Sequence, residues 1–518
     1  MLQCYFISIG SILGTGILGL PVTIAHAGLQ PFLVSFVIGF FMQVLLIYLF
    51  VDLLQRCRVA QADSVKAERI LMQDVSDQDN IPSPVEEDEE TEDAGHVLLH
   101  QAIEADHCEE EQVPNLHILG VLFLHKYMSY AFSLHLMLHF ISIGISYVLA
   151  GSEAFAELLQ IRYLHVIPFF TWILVLGIIT AQVVLQPIMS ILTLVKGSFL
   201  ILTVIVTFVV GSEVHQEISN DFSSIGTPFL MGTVALGGVV NVMPMLFSEI
   251  SQNRCQVLWF RRAIIGGLTT CAILNIFWCW AVLNIVPQTS TRKVLLDGSV
   301  NTSSHIPPAY RVIYFNISLE DSEMAGEIAT LPLTKIIMEQ YSRFAWVAWL
   351  TEIFIAVSIT VSFLVLGSTM KHTLEGWVDS FWSRRCDSAS EYCPRLHKMW
   401  SLKSMTKMCV SLLAFTVIFT VAVSDSKGFV VVLDKVASFA LNLEAGLFIF
   451  LMLRNCQSEP YKHIIVPLTT SPRVFSLHWL LPIYFLFAVG YDIEESLVLM
   501  AQSWTHTHLI SANATANP

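Results

Sequence analysis

Charged residues are scarce in this chain. Asp, Glu, Lys and Arg make up 13% of the 518 residues, while hydrophobic residues make up 54%. A soluble globular domain carries about a quarter charged residues, so this composition excludes an ordinary water-soluble protein. The sequence also lacks a Walker loop, a nucleophile elbow and an HExxH motif. We therefore do not expect an enzyme, and we predict no nucleic-acid partner.

Long apolar runs are abundant instead. A helix needs about 20 mostly apolar residues to cross a bilayer, and eleven runs meet this requirement. They cover residues 4–26, 31–54, 127–150, 166–186, 190–211, 226–247, 263–286, 345–368, 405–424, 428–453 and 474–490. We predict an all-α, polytopic protein surrounded by membrane lipid, whose termini lie on opposite sides because the number of spans is odd.

Two independent patterns predict the orientation. With a cytoplasmic N-terminus, the inner loops carry more Lys and Arg than the outer segments, as the positive-inside rule requires. The same orientation places the N-glycosylation sequons at Asn301, Asn316 and Asn513 outside, where glycosylation can reach them. The C-terminal tail is then extracellular or lumenal, and the membrane of residence is either the plasma membrane or an endolysosomal membrane.

Cysteine is absent from the longest predicted outer loop, residues 287–344, so extracellular disulfides are not expected. Cys386 and Cys393 lack a second pair at the spacing of zinc ligands, which favours free thiols. His135 and His139 are four residues apart in one predicted helix, but no carboxylate or thiol in that span completes a ligand set. We predict neither a metal site nor a cofactor.

One segment carries the whole net charge of −15. Residues 63–114 contain 17 acidic and two basic residues, a balance of −15. Such a polar, acidic segment with few aromatic residues disfavours a packed core, so we predict a disordered cytoplasmic loop over residues 55–117. Composition favours a solvated insertion, and a docking site for a cytoplasmic partner is the alternative.

The first apolar run contains helix breakers. "GTGILGLP", from Gly14 to Pro21, puts three glycines and a proline at membrane depth. A break there frees backbone carbonyl and N–H groups that lipid cannot satisfy. A zwitterion matches both half-helix ends, since its carboxylate suits the N-terminus and its ammonium the carbonyls. Close packing of helices through glycine is the alternative explanation.

The sixth run has a matching break in "GTVALGGVVNVMP", from Gly232 to Pro244. Breaks five spans apart predict a five-plus-five inverted-repeat fold with discontinuous helices 1 and 6, which meet at a substrate site. The predicted organisation is helices 1–2 in residues 1–54, the acidic loop, helices 3–7 in 118–286, a glycosylated outer loop in 287–344, helices 8–11 in 345–490 and a tail in 491–518.

Three stretches together resemble the amino acid/auxin permeases, within the amino acid/polyamine/organocation superfamily. "GSILGTGILGLPVTIAHAG" resembles the first-helix signature of that family. "NVMPMLFSEI", from Asn241, is similar to the end of its sixth helix, and "VSITVSFLVLGSTMKHTLEGW", from Val357, to its eighth. The order and spacing of the stretches carry the resemblance, which spans most of the chain apart from the acidic and outer loops.

The resemblance implies an amino-acid transporter that works by alternating access and is often coupled to Na⁺ or H⁺. Substrate would contact both breaks, at Gly14, Thr15, Gly16, Ile17, Gly237, Gly238 and Asn241. Many relatives carry Asn four residues before the first glycine of the first-helix pair, whereas this chain has Gly10 there. Any function that depends on that amide is therefore in question.

Two routes to ion coupling remain open. In sodium-coupled relatives, helix 8 supplies neighbouring hydroxyls; here the matching pair is Val361 and Ser362, with Thr360 and Ser358 as substitutes. Lys196 lies deep in helix 5, where an ammonium is costly unless it faces a cavity or a partner. It could replace Na⁺ and carry H⁺, or extend to the membrane interface. Glu444 is the deepest acid of helix 10; a buried acid of this kind marks a proton or substrate path, and a structural ion pair between two helices is the alternative.

The sequence thus predicts a secondary active transporter of amino acids or similar small zwitterions, with H⁺ slightly favoured over Na⁺. The alternative is a non-transporting amino-acid sensor that signals through its acidic loop. A passive channel is disfavoured, because the helices carry no ring of like charges.

Overall fold

The computed structural model describes residues 2–14, 16–78, 114–180, 182–214, 218–251, 253–289, 292–296, 310–314, 317–325, 330–386, 396–424 and 436–515. Within these residues the chain is almost entirely helical. A single antiparallel hairpin pairs Arg292–Leu296 with Tyr310–Tyr314 in the predicted outer loop. The predicted all-α class is confirmed.

Nine helical segments in the described part of the chain are long and apolar enough to cross a membrane. They correspond to predicted runs two to nine and eleven. Each span takes the number of its run, so the first helix below is span two and the last is span eleven. Their helices are Leu29–Gln78, Lys126–Leu159, Tyr163–Thr180, Gln182–Val214, Gly226–Gly237 with Val239–Ser248, Arg254–Leu283, Ala345–Cys386, Leu396–Ser424 and Leu480–Thr515.

Spans one and ten are divided into shorter pieces. Span one consists of Leu2–Ile12 and Gly16–Thr23. Span ten consists of Ser438–Leu443, a π-helical turn over Glu444–Ile449, and Phe450–Asn455. A π-turn inserts an extra residue into a helix and is frequent at functional sites. Together with the nine long segments, these pieces correspond to the eleven predicted runs.

Span two is longer than the sequence indicated. Its helix continues to Gln78, whereas we predicted a loop from residue 55. Residues 55–78 contain no glycine or proline and are rich in good helix formers, so the helix continues beyond the apolar run. The predicted disorder of the acidic segment 79–113 falls outside the described residues.

The two predicted outer segments also contain regular structure. Besides the hairpin, residues 287–344 include the helices Leu319–Ala325 and Thr330–Gln340. The predicted tail from residue 491 is helical as far as Thr515, because span eleven continues through it, so Asn513 is a helical residue. Asn301 and Asn316 fall outside the described residues.

Helix packing repeats at an interval of five spans. Span two packs on span six, and span seven packs on span one. Spans one and five are in contact, as are spans six and ten; the same holds for three with four and eight with nine. Because each repeat has an odd number of spans, the second must cross the membrane in the opposite direction. The protein therefore has the five-plus-five inverted-repeat architecture.

Burial separates the central spans from the peripheral ones. In the most apolar window of span six, 89% of the residues are buried inside the protein, whereas the corresponding value for span nine is 22%. Span six therefore lies in the centre of the bundle, while span nine presents most of its surface to lipid.

Candidate functional site

The interruption of span one follows Ile12. Gly14 lies between the two half-helices, and a β-carbon built on it would lie 2.6 Å from Cβ of Ser362 and would also collide with the hydroxyl of Tyr147. Glycine is therefore the residue that allows spans one, three and eight to approach here. Thr15 lies outside the described residues, and Gly16 and Ile17 begin the second half-helix.

The interruption of span six is a single residue. One half-helix ends at Gly237 and the next begins at Val239. Gly238 keeps helical dihedral angles, φ −59° and ψ −15°, so the discontinuity is confirmed but is milder than that of span one. The Ser11 hydroxyl donates to the Gly238 carbonyl oxygen at 3.1 Å, which links the two interrupted spans directly.

A central cavity lies between these interruptions. Its wall includes Ser11, Gly238 and Asn241 from spans one and six, and further residues of spans three, six, eight and ten: Ile143, Tyr147, Val234, Val242, Ser362, Leu366, Thr369 and Leu441. The space open to the centre of a water molecule is about 20 Å³, enough for about one or two waters. The bundle is thus closed tightly around the cavity.

Asn241 connects this cavity to two buried titratable side chains. With its amide oriented to suit both neighbours, Nδ2 donates to Glu444 Oε1 at 2.8 Å and to Oε2 at 3.2 Å, and Oδ1 accepts from His139 Nε2 at 3.1 Å. All three side chains are at most 3% exposed. Spans three, six and ten are joined through this chain of hydrogen bonds.

The two histidines of span three have separate partners. His139 contacts Asn241, whereas Nε2 of His135 lies 2.9 Å from the Ala440 carbonyl oxygen of span ten. Within the described ranges, no group of three or more His, Cys, Asp and Glu side chains has the arrangement of a metal site.

Lys196 lies at the contact of spans one, five and eight. Its side chain is fully buried, and Nζ donates to Ser362 Oγ at 2.9 Å and to the carbonyl oxygens of Gly10 and Ser358 at 3.2 Å each. Ser362 Oγ in turn donates to the Gly10 carbonyl at 3.1 Å. The ammonium therefore bridges the first half of span one to span eight, rather than extending to the membrane interface.

The structure divides the predicted ion-coupling residues into two groups. Lys196, Ser358 and Ser362 lie together, whereas Glu444 is paired with Asn241 in a different hydrogen-bonded chain. Thr360 belongs to neither group, because its hydroxyl donates to the Ala356 carbonyl of its own helix at 2.7 Å. Hydroxyl groups in helices commonly make this bond.

Sequence reasoning missed several residues of the cavity wall. Tyr147 comes from span three, for which we predicted no site residue, and Ser11 of span one was not among the predicted site residues either. His139, also of span three, contacts Asn241 of that wall. The sequence signal is the recurrence of polar residues in an apolar run, and the structure buries Ser142, Ser146 and Ser152 along span three. A helix that must satisfy so many polar groups lies inside the bundle.

Comparisons with known proteins give no family assignment. No protein-family model matches the sequence, and no curated protein matches it either. Two similar solved structures are of the Eremococcus coleocola manganese transporter. A mutant has 11% identity and a TM-score of 0.48, covering 95% of this chain and 86% of that one. The complex with an aromatic bis-isothiourea substituted compound has 12% identity and a TM-score of 0.49, covering 98% of this chain and 92% of that one.

The fold and the cavity define a class rather than a family. The chain is a multi-pass membrane protein in which two inverted five-span halves meet at interrupted helices, around a small cavity lined by both polar and apolar residues. This is a transporter-like architecture.

Proposed function

We propose that the protein is a secondary active transporter that moves a small zwitterion, such as an amino acid, by alternating access. The observation that carries this proposal is the meeting of the two interrupted spans at the central cavity. Gly238 and Asn241 of span six line that cavity, together with Ser11 of span one.

The cavity suits a molecule that carries both charges. Half-helix ends present bare N–H groups with partial positive charge and bare carbonyls with partial negative charge. Gly14 belongs to the interruption of span one and adjoins the cavity residues Tyr147 and Ser362, and Gly16 begins the second half-helix. In the proposed bound state a carboxylate faces N–H groups of the second half-helix, and an ammonium faces the carbonyls that precede it.

The size of the cavity supports alternating access. Space for about one or two waters is too small for an amino acid, so the structure corresponds to a closed conformation in this proposal. One half must move against the other to admit substrate. The contact between Ser11 and Gly238 must then adjust, because it joins the two interrupted spans.

We further propose that H⁺ rather than Na⁺ drives transport, through Lys196. The three oxygen atoms around Nζ form the kind of surroundings that a monovalent cation would need. A fixed ammonium in that position competes with Na⁺ by both charge and volume. Release of its proton would remove a positive charge between spans one and eight, and so would change their mutual attraction. Glu444 is the second candidate proton carrier.

The resemblance to amino acid/auxin permeases supports the substrate class. Orientation with the N-terminus in the cytoplasm, glycosylation of Asn301, Asn316 and Asn513, and residence in the plasma or endolysosomal membrane belong to the same proposal. In this proposal the chain crosses the membrane through the spans described above.

A thermal-shift screen of purified protein against the twenty amino acids, common amines and Mn²⁺ tests the substrate class, because a ligand selective for the folded state raises its apparent stability. Uptake into proteoliposomes then tests transport. We expect an amino acid to bind and its uptake to respond to a pH gradient more than to replacement of Na⁺ by choline. Binding without uptake would favour the alternative function, a non-transporting amino-acid sensor. Stabilisation by Mn²⁺ alone would contradict the proposal that the substrate is a zwitterion.

A further inference from the structure

A second, smaller cavity lies on the other side of the span six interruption. We call it the rear cavity and define it by Gln43, Gly237, Leu441, Asn442, Glu444 and Phe485, which belong to its wall. The space open to the centre of a water molecule is about 10 Å³, enough for about one water molecule or one small ion. Leu441 lines both cavities, so its side chain is part of the partition between them.

Two amide oxygens of the rear cavity have no donor. Oδ1 of Asn442 and Oε1 of Gln43 are buried without a hydrogen-bond partner among the described residues, and both side chains are at most 2% exposed. Two hydrogen bonds fix the orientation of the Asn442 side chain: Nδ2 donates to Thr233 Oγ1 at 2.8 Å and to the Ser438 carbonyl at 2.9 Å. Its acceptor oxygen is therefore held away from those partners.

Glu444 adds a carboxyl group to the same wall. Its only hydrogen bonds among the described residues come from Asn241, and no basic side chain there forms an ion pair with it. An uncompensated carboxylate in a buried site is costly. Three side chains that line one cavity thus offer oxygen acceptors, and none of these oxygens receives a hydrogen bond from a charged donor among the described residues.

We propose that the rear cavity binds a monovalent cation, which Glu444 neutralises and Gln43 and Asn442 solvate. The cation has two possible sources. It is either the terminal ammonium of a substrate side chain that extends past Leu441, or a free inorganic ion such as Na⁺ or K⁺. The first source rests on the proposed function, because it requires the α-amino and α-carboxyl groups to bind in the central cavity. The second does not.

A water molecule is the competing occupant. One water can donate to both amide oxygens, but it brings no charge, so it satisfies Gln43 and Asn442 and leaves Glu444 without a counter-ion. In that case Glu444 must be neutral, and stability must not depend on any particular cation. This difference makes the two occupants distinguishable.

The experiment measures thermal unfolding of the purified full-length protein with two sets of ligands. The first compares lysine with norleucine, which has the same carbon chain without the ammonium. The second compares NaCl and KCl with choline chloride at constant ionic strength. Glu444→Gln and Gln43→Leu are the test variants. Asn275→Leu is the matched control, since Asn275 is another buried amide without a partner among the described residues.

For the substrate source, we expect lysine to bind about tenfold more tightly than norleucine, the effect of about one charge-assisted hydrogen bond. The preference should fall to within about twofold in both test variants and persist in Asn275→Leu. For the free ion, saturable stabilisation by Na⁺ or K⁺ should disappear in the same two variants. If no amino acid binds at all, the proposed function fails, while the salt series still tests the rear cavity. If the unmodified protein shows neither a preference for lysine over norleucine nor stabilisation by Na⁺ or K⁺, the rear cavity does not bind a cation, and water is its occupant.

Discussion

Lys196 Nζ donates a hydrogen bond to Ser362 Oγ at 2.9 Å, in a contact that also includes the Gly10 carbonyl oxygen. The two residues are far apart in sequence and belong to different halves of the inverted repeat. One buried positive charge therefore connects span five to span eight and to the first half of span one. In the proposed transport cycle, a change in that charge would act directly on the contact between the two halves.

Replacing Lys196 by methionine tests this role. Lys196→Met keeps a long side chain but removes the ammonium, so the Gly10 and Ser358 carbonyls lose a donor. We expect uptake in proteoliposomes to lose its response to a pH gradient, while substrate exchange at equal pH continues. The measurement is initial uptake rate as a function of internal and external pH.

Thr360→Val is the control for this prediction. Thr360 lies on span eight beside the Lys196 partners Ser358 and Ser362, but its hydroxyl bonds only to its own helix, so the variant should retain pH-driven uptake. An unchanged pH response in Lys196→Met, with correct folding shown by size-exclusion chromatography, would remove Lys196 from the coupling mechanism.

Gly14→Ala should destabilise the protein and reduce transport. The added β-carbon would lie 2.6 Å from Cβ of Ser362, and overpacking of this kind typically costs about 1–3 kcal/mol. Gly177→Ala provides the comparison, because nothing lies within 4 Å of the added β-carbon. Thermal unfolding of both variants checks this, and equal melting temperatures would show that span one adapts freely at Gly14.

Asn241→Leu should abolish substrate-dependent stabilisation. The amide lines the central cavity and is the hydrogen-bond link between His139 and Glu444. Its loss leaves a buried carboxyl without its donor, at a cost of about 1–3 kcal/mol. We expect a lower melting temperature and no further shift on adding the substrate found in the screen. Retained substrate binding would place the recognition site away from span six.

Removal of residues 79–113 should leave transport intact. This segment contains most of the acidic residues of the predicted loop, and the described part of span two ends before it, at Gln78. Uptake by the deletion variant is expected to stay within about twofold of the full chain, since a segment of this composition disfavours a packed core. Loss of uptake with binding preserved would show that the loop participates in the transport cycle.

Glycosylation tests the predicted orientation. In a eukaryotic expression system, we expect Asn301→Gln and Asn316→Gln each to remove one glycosidase-sensitive shift on a denaturing gel, because both sequons lie in the predicted outer loop. A chain whose mobility never responds to glycosidase would contradict the prediction that residues 287–344 face the lumen or the exterior.

Pattern alone predicted the broad features of the fold. The eleven apolar runs, the breaks at Gly14 and Gly238 and the five-span interval all correspond to features of the structure. Each depends on local properties: hydropathy over a helix length, or residues that interrupt a helix. The predicted end of span two was wrong, because helix propensity rather than hydropathy decides where a helix ends outside the membrane.

The candidate site was less accessible to such reasoning. Thr360 and Ser358 were both predicted as substitutes for the hydroxyl missing at Val361, yet the Thr360 hydroxyl bonds to its own backbone, whereas Ser358 lies beside Lys196. Tyr147, Gln43 and Asn442 gave no sequence signal, because each acquires its meaning only from side chains of other spans. Polar residues that line a cavity cannot be distinguished by local pattern from those that bond within their own helix.

By itself, the sequence determined that this chain enters a membrane, how many times it crosses and where two of its helices are interrupted, because lipid imposes length and hydrogen-bonding rules on every span separately. Tertiary structure alone decided that Lys196 meets Gly10 and Ser362, and that Asn241 joins His139 to Glu444. Those contacts depend on how helices distant in sequence rotate and pack against one another, which no single span specifies.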